Sequence, residues 1–219
     1  MDETTGLSPA QFHRRPGVTD WRVMASGPQA VFRSSSLPHG ARLLAVIVEA
    51  AERLGVEPDI DLRPEAVVIR VPYRGAERIP AKAADFAAEV SRAAAELSLS
   101  ADISRIQSVD IYVAEHSAAD TKPFWIAALG YDPLGETDAI DPLRRGPQLA
   151  FNPLREDRQG RGRTHIDVSV PADQAEARVA AALAAGGRLV DDSNAPMWWT
   201  VASPDNHGID IAAWSDTLE

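Results

Sequence analysis

The clearest hydrophobic pattern lies in the last fifty-odd residues. Across Arg163–Val170, Ile166, Val168 and Val170 alternate with His165, Asp167 and Ser169, the period-two signature of a strand with one buried face. Pro171-Ala-Asp173 then opens a helix, with Asp173 expected to cap it and Glu176 to complete a capping box. The following Gln174–Ala185 is alanine-rich and stops at Gly186-Gly187. Three short strand-like runs come next: Arg188–Val190, Trp198–Val201 and Gly208–Trp214. The turns between them carry Asn194-Ala-Pro196 and Ser203-Pro-Asp-Asn206. The predicted order is strand, helix, three strands.

A different pattern fills residues 8–103. Trp21–Val23 and Ala30–Arg33 read as strands. Leu43, Leu44, Ile47, Ala51 and Leu54 make one apolar face of a helix over Gly40–Leu54. Ala66–Val71 is a β-branched strand ended by Pro72, and Ala81–Leu97 a second helix burying Phe86, Val90, Ala94 and Leu97. Two helices on a small antiparallel sheet suit this order. The short polar stretch Ser98–Ser104 reads as a hinge or a tight junction.

The phrases "THIDVSVP" and "WWTVASPDNHGIDIAAW" resemble the glyoxalase/bleomycin-resistance (vicinal oxygen chelate) superfamily, in its glyoxalase-like branch common among bacterial proteins. That resemblance implies a βαβββ unit occurring twice, with curved sheets enclosing a small-molecule site. The first copy is then found upstream: Ile106–Val113 as its first strand, Thr121–Leu129 as its helix stopped by Gly130, and Tyr131–Pro133 and Pro147–Pro153 as further strands. The phrase "FWIAALGY" resembles the family's first helix. The fold class is therefore α+β, with residues 8–103 as one domain and 105–216 as a glyoxalase-like one.

"AERLGVEPDIDLRPEAVVIRV" (Ala51–Val71) resembles the pterin-4a-carbinolamine dehydratase family at its segment of helix end, His-His-Pro and following strand. In that family the paired histidines take part in dehydration, with a third histidine after the strand. Here Val56-Glu57 stand in place of the pair, and Pro72-Tyr73-Arg74 near the third. A valine moves no proton. The resemblance thus implies the dehydratase fold without its activity, leaving Glu57 and Tyr73 either as replacement acid–base groups or as a surface carboxylate and a strand-end tyrosine.

Composition narrows the function classes. The chain has 219 residues and no cysteine, which excludes disulfides, thiolate nucleophiles and cysteine-held metals. Its formal net charge of −10 argues against nucleic-acid and anionic-membrane partners. Residues 105–219 carry 10 basic and 18 acidic side chains, so polyanionic substrates are disfavoured there. With no apolar run of membrane-spanning length and no secretory pattern at Met1-Asp-Glu-Thr-Thr, a cytoplasmic location is expected. The Arg155–Arg163 stretch, with four arginines, reads as a solvated loop or as a flap offering Arg155 or Arg158 to an anion.

Metalloenzymes of the superfamily hold a divalent ion with side chains from four strands. The resemblance carries those positions onto Ser108 (with Gln107 beside it), Asn152, His165 and Asp210. His165 and Asp210 supply half of a set, so a divalent metal is open but disfavoured, and no cofactor is certain. The bland readings are a histidine bonded within the sheet and an acid satisfied by backbone amides. Trp198 and Trp199 must point to opposite faces of their strand, so one of them, together with Trp125 and Trp214, either stacks on a flat ligand or packs in the core. Asn152 and Ser108 are further ligand-contact candidates. The expected function is a small-molecule enzyme of lyase, isomerase or oxygenase type, with His165 and Asp210 as its main polar groups. Drug or natural-product sequestration is the alternative and a pterin dehydratase-like role the second. A small molecule is the expected partner, and a homodimer is left open.

Overall fold

The computed structural model describes residues 6–72, 78–115, 122–153, 164–202 and 208–213. The chain divides into two compact units, the first running to Ile106 and the second spanning Gln107–Ala213. Among the described residues, no helix is long and apolar enough to cross a membrane.

The first unit opens with a short helix, α1 (Pro9–His13), whose N-terminus carries a reciprocal Ser8–Gln11 capping box. Strands β1 (Arg22–Met24), β2 (Gly27–Arg33), β3 (Asp59–Leu62) and β4 (Ala66–Arg70) form an antiparallel sheet in the order β1-β2-β4-β3. Helix α2 (Leu37–Leu54) starts three residues earlier than its apolar spacing predicts, because Ser36 caps it by accepting from the His39 amide. It ends at Gly55, whose φ of 62° is the left-handed conformation that glycine adopts without strain. Helix α3 spans Ala81–Glu96, with Leu97 as its C-cap.

Leu43, Ile47 and Ala50 of α2 and Phe86, Val90 and Ala94 of α3 are fully buried with Ala30, Phe32, Val67 and Ile69 of the sheet. Each large aliphatic or aromatic side chain buried this way contributes roughly 1.5–3 kcal/mol. Gly40 lets α2 lie close to the sheet, since a Cβ there would meet Leu62 Cδ1 at 2.8 Å and Val67 Cγ2 at 3.0 Å. Trp21 is fully buried, and its indole N–H donates to the Ala87 carbonyl and Ser91 Oγ, each at 3.1 Å.

The stretch after α3 is tied to the first unit's own sheet. Ala101 bridges Phe32, the Arg33 amide donates to the Ser100 carbonyl, and the Asp102 amide donates to the Val31 carbonyl. The Asp102 carboxylate accepts from Ser104 and Arg33, which hold it below the usual carboxylate range.

The second unit repeats one order. Its first half is β5 (Ser108–Glu115), α4 (Lys122–Leu129), β6 (Asp132–Leu134), β7 (Asp138–Ile140) and β8 (Gln148–Pro153). Its second half is β9 (Thr164–Val170), α5 (Ala172–Ala184), β10 (Arg188–Asp191), β11 (Trp198–Ala202) and β12 (Gly208–Ala213). All eight strands join one sheet in the order β10-β11-β12-β9-β5-β8-β7-β6. This order is the same from either end if each strand is exchanged for its counterpart, as an approximate two-fold repeat requires. At the centre β5 pairs antiparallel with β9, while β5–β8 and β9–β12 are the parallel pairs.

The structure departs from the sequence pattern at two points. Asp173 does not cap α5: the N-cap is Pro171, with no side-chain cap bond, so the expected capping box with Glu176 does not form. Strands β3 and β7 and helix α1 lie in stretches to which the sequence pattern assigns no element, because pieces of three to five residues are too short to show a period.

Candidate functional site

Alternation along the strands sorts the second unit's side chains onto two faces. One face receives the helices. Under α4 lie Val113, Leu149 and Phe151, with Ile111, Trp125, Ile126 and Tyr131 packed against them. Under α5 lie Val168, Val170, Val201, Ile211 and Ala213, with Trp199 and Ile209 against them.

The opposite face is polar. Ser108, Asp110 and Tyr112 share it on β5, one pleat apart. The register sets Asp110 directly opposite Asp167 on β9 and Gln148 on β8. Asp167 is opposite Asp210 on β12, and Asp210 opposite Thr200 on β11. Asp138 on β7 is opposite Ala150 and accepts from the Gln148 side-chain amide at 2.7 Å. Trp198 is opposite Ala212 on the same face. A row of aspartates from four neighbouring regions of the sheet thus faces one way.

Electrostatics follow from this crowding. Burial pushes the Asp110 carboxyl up to about 6, helped by the charges of Asp167 and Asp138. Tyr112 is pushed up to about 12, first by burial and then by Asp167, Asp110, Asp138 and Asp210. Its phenol therefore stays neutral at any physiological pH. Ser108 Oγ is buried with no hydrogen-bond partner among the described residues. Such a face can hold and exchange a proton near neutral pH and can bond a polar ligand.

The residues singled out from sequence separate into groups. Asp210 and Ser108 lie on the polar face, and Trp198 joins them, half-buried. Trp199 and Trp125 are corrected to the helix-packed face, where they fill apolar space. Asn152 is exposed near the end of β8. His165 sits on β9 opposite Tyr112 in register, and its side chain lies outside the described part of the structure. Tyr73, Trp214 and the Arg155–Arg163 loop lie outside the described residues. In the first unit Val56 is part of the core and Glu57 is exposed just beyond α2, so the pair that replaces two histidines is divided between interior and solvent.

Asp110, Tyr112, Asp138 and Asp167 were not anticipated as site residues. One signal was available: Val109-Asp110-Ile111 and Ile166-Asp167-Val168 each place a carboxylate between β-branched residues at the same position of the two repeats.

The positions onto which the resemblance carries the metal ligands hold a hydroxyl (Ser108), an amide (Asn152), an imidazole (His165) and a carboxylate (Asp210). Among the described residues no three His, Asp or Glu side chains come together to hold a metal ion. A hydroxyl without a partner and an exposed amide do not suit a hard divalent cation, which takes several anionic or imidazole donors. This donor set does not fit such a cation.

No curated protein matches the chain. One similar solved structure is that of the NAD-dependent benzaldehyde dehydrogenase from Legionella pneumophila. It is 13% identical, covers 48% of this chain and 97% of that one, and has a TM-score of 0.38. A likeness that weak carries no argument. The α+β architecture has a small antiparallel sheet in the first unit and a larger sheet of glyoxalase-like fold in the second, and residues 110–212 match the family model described as a glyoxalase-like domain.

Proposed function

We propose that the second unit is a small-molecule enzyme of lyase or isomerase type, binding its substrate on the polar face and moving a proton through Asp110. The observation that carries this reading is the placement of Asp110. It is a half-buried carboxyl at the centre of the face, pushed up to about 6 by burial and by Asp167 and Asp138. An acid–base group works best when its pKa lies near the working pH, and burial beside another carboxylate is one way to bring it there. Tyr112, neutral and two residues along the strand, is a hydrogen-bond donor for a developing negative charge. Asp210 flanks Asp167, His165 is the titratable residue opposite Tyr112 in register, and Trp198 offers aromatic area to an apolar part of the ligand.

The glyoxalase-like match supports the superfamily, which holds binding and resistance proteins as well as enzymes. Sequestration of a drug or natural product is the second reading, favoured by Trp198 on the polar face. One experiment separates the two. A thermal-shift screen of small polar and aromatic metabolites identifies a ligand, and NMR then follows that ligand over hours with the wild type and Asp110→Asn. Consumption by the wild type that is lost in Asp110→Asn supports the enzyme. Saturable binding without consumption supports sequestration. Consumption unaffected by Asp110→Asn overturns the role given to Asp110.

For the first unit we infer a scaffold without dehydratase activity. Its support is the inward placement of Val56 and the outward placement of Glu57 where a dehydratase keeps its histidine pair.

A further inference from the structure

The chain leaves β2 at Arg33 and enters α2 at Leu37, and Ser35 lies exposed in that strand-to-helix turn. Its Oγ is 3.0 Å from His39 Nδ1. The Ser35 backbone N–H also points at Nδ1, at 3.4 Å. On the far side of the ring, Nε2 lies 2.9 Å from the Leu97 carbonyl oxygen. These contacts fix the tautomer. A carbonyl oxygen only accepts, so Nε2 carries the hydrogen; a backbone N–H only donates, so Nδ1 presents its lone pair. The Ser35 hydroxyl therefore donates to Nδ1.

A hydroxyl bonded to the lone pair of an imidazole, whose other nitrogen is oriented by a third group, is the arrangement that activates a serine nucleophile. The helices add to it. Ser35 precedes the N-terminus of α2, the positive end of that helix's dipole, where negative charge is favoured. Leu97 is the C-cap of α3, so the carbonyl holding Nε2–H belongs to the negative end of that helix's dipole. Proton transfer from hydroxyl to ring thus places each new charge beside the dipole end of opposite sign.

We propose that Ser35 and His39 form a nucleophile–base pair in the first unit that reacts with activated esters, a second site distinct from the polar face of the second unit. Ser35 Oγ attacks the ester carbonyl carbon as Nδ1 takes its proton. The bond to the leaving alcohol breaks, and that alcohol receives the proton from Nδ1. Water, activated by the same ring nitrogen, then releases the acid and restores Ser35.

The test uses the full chain with p-nitrophenyl acetate and, separately, an alkyl fluorophosphonate. The fluorophosphonate forms an Oγ–P bond and expels fluoride, leaving an adduct that persists. Peptide mass spectrometry locates the adduct, and the rate is compared in Ser35→Ala and His39→Gln. Glutamine can still donate to the Leu97 carbonyl but supplies no base; His39→Asn is a second base-free variant, and melting curves confirm that each is folded. The expected result is an adduct on Ser35, absent in Ser35→Ala, forming about a hundredfold more slowly without the imidazole, within the range that general-base assistance contributes. No adduct on Ser35, or an unchanged rate on Ser35 in the folded base-free variants, overturns the proposal.

Discussion

Asp110 and Asp167 stand directly opposite each other at the middle of the antiparallel β5–β9 pair, on the face away from the helices. Side chains opposed in this way have Cβ atoms roughly 4.5–5.5 Å apart, and like charges there are unfavourable. The two residues hold equivalent positions in the two repeats, so the near-symmetry of the fold itself creates the pair. A substitution at either one acts on the other.

Asp110 is therefore expected to titrate near 6 in the folded protein, against about 3.9 in an unfolded chain. Because the folded value is the higher one, its contribution to stability is present below about pH 4 and is lost as pH rises through about 6. Asp110→Asn should then stabilise the protein at pH 7.5 by roughly 1–3 kcal/mol and have little effect at pH 4. Denaturant unfolding at the two pH values checks this, and carboxyl carbon NMR reads the titration directly. Asp167→Asn should lower the Asp110 value without restoring it fully, since burial, the larger cause, remains. A titration near 4 in the wild type would remove the basis of the proposed proton transfer.

Trp198 and Trp199 should separate function from stability. Trp199 packs with Val201, Ile211 and the α5 side chains, so Trp199→Ala should destabilise the fold by roughly 2–4 kcal/mol. Trp198 is on the polar face, so Trp198→Ala should weaken ligand binding by about fivefold to tenfold while leaving most of the stability in place. Urea unfolding and ligand titration of both variants decide it. The reverse pattern would mean that the ligand approaches from elsewhere.

Much of this fold was legible in the sequence because burial enforces period. Val168 and Val170 must alternate with polar neighbours when only one face of β9 meets α5, although Ile166, expected on the same buried face, is exposed, and Leu43 and Ile47 must share a helical face to reach the small sheet. The site was less legible, for a physical reason. Alternation showed that Trp198 and Trp199 face opposite ways, but only the pairing with β12 settles which one is polar-facing. The family resemblance gave Ser108, His165 and Asp210, whereas the crowding that perturbs Asp110 comes from strands far apart in sequence. Asp110, Asp138 and Asp167 become neighbours only through the β5–β9, β5–β8 and β7–β8 pairings. The cap of α2 was missed for a simpler cause: the helix starts in Leu37-Pro-His39, ahead of its apolar repeat.

The first unit should not turn over a pterin carbinolamine. Val56 is held in the core and Glu57 is solvated, so among the described residues this pair sets no acid and base against each other at that turn. A stopped-flow dehydration assay with the full chain should return the spontaneous rate. Turnover well above it would assign new weight to Glu57 and Tyr73, and Glu57→Gln would then be the variant that tells whether the carboxylate carries the proton.

His165→Ala and Asp210→Ala should each weaken binding or turnover of a ligand of the second unit about tenfold or more. Both strands reach the sheet centre. His165 is opposite Tyr112, and Asp210 is opposite Asp167, so a ligand contacting the Asp110 region lies within reach of β9 and β12. Losing a hydrogen bond to a charged group costs roughly 1.5–3 kcal/mol, and 1.4 kcal/mol corresponds to a factor of ten. The two variants should differ in another respect. Asp210 adds to the charges that raise Tyr112, so its removal should lower the Tyr112 titration from about 12. Calorimetric titration of the ligand, together with the ultraviolet absorbance change of tyrosinate ionisation, measures both effects in one pair of proteins. If both alanine variants fold and handle the ligand as the parent does, the ligand does not sit on the polar face, and the role proposed for Asp110 fails with it.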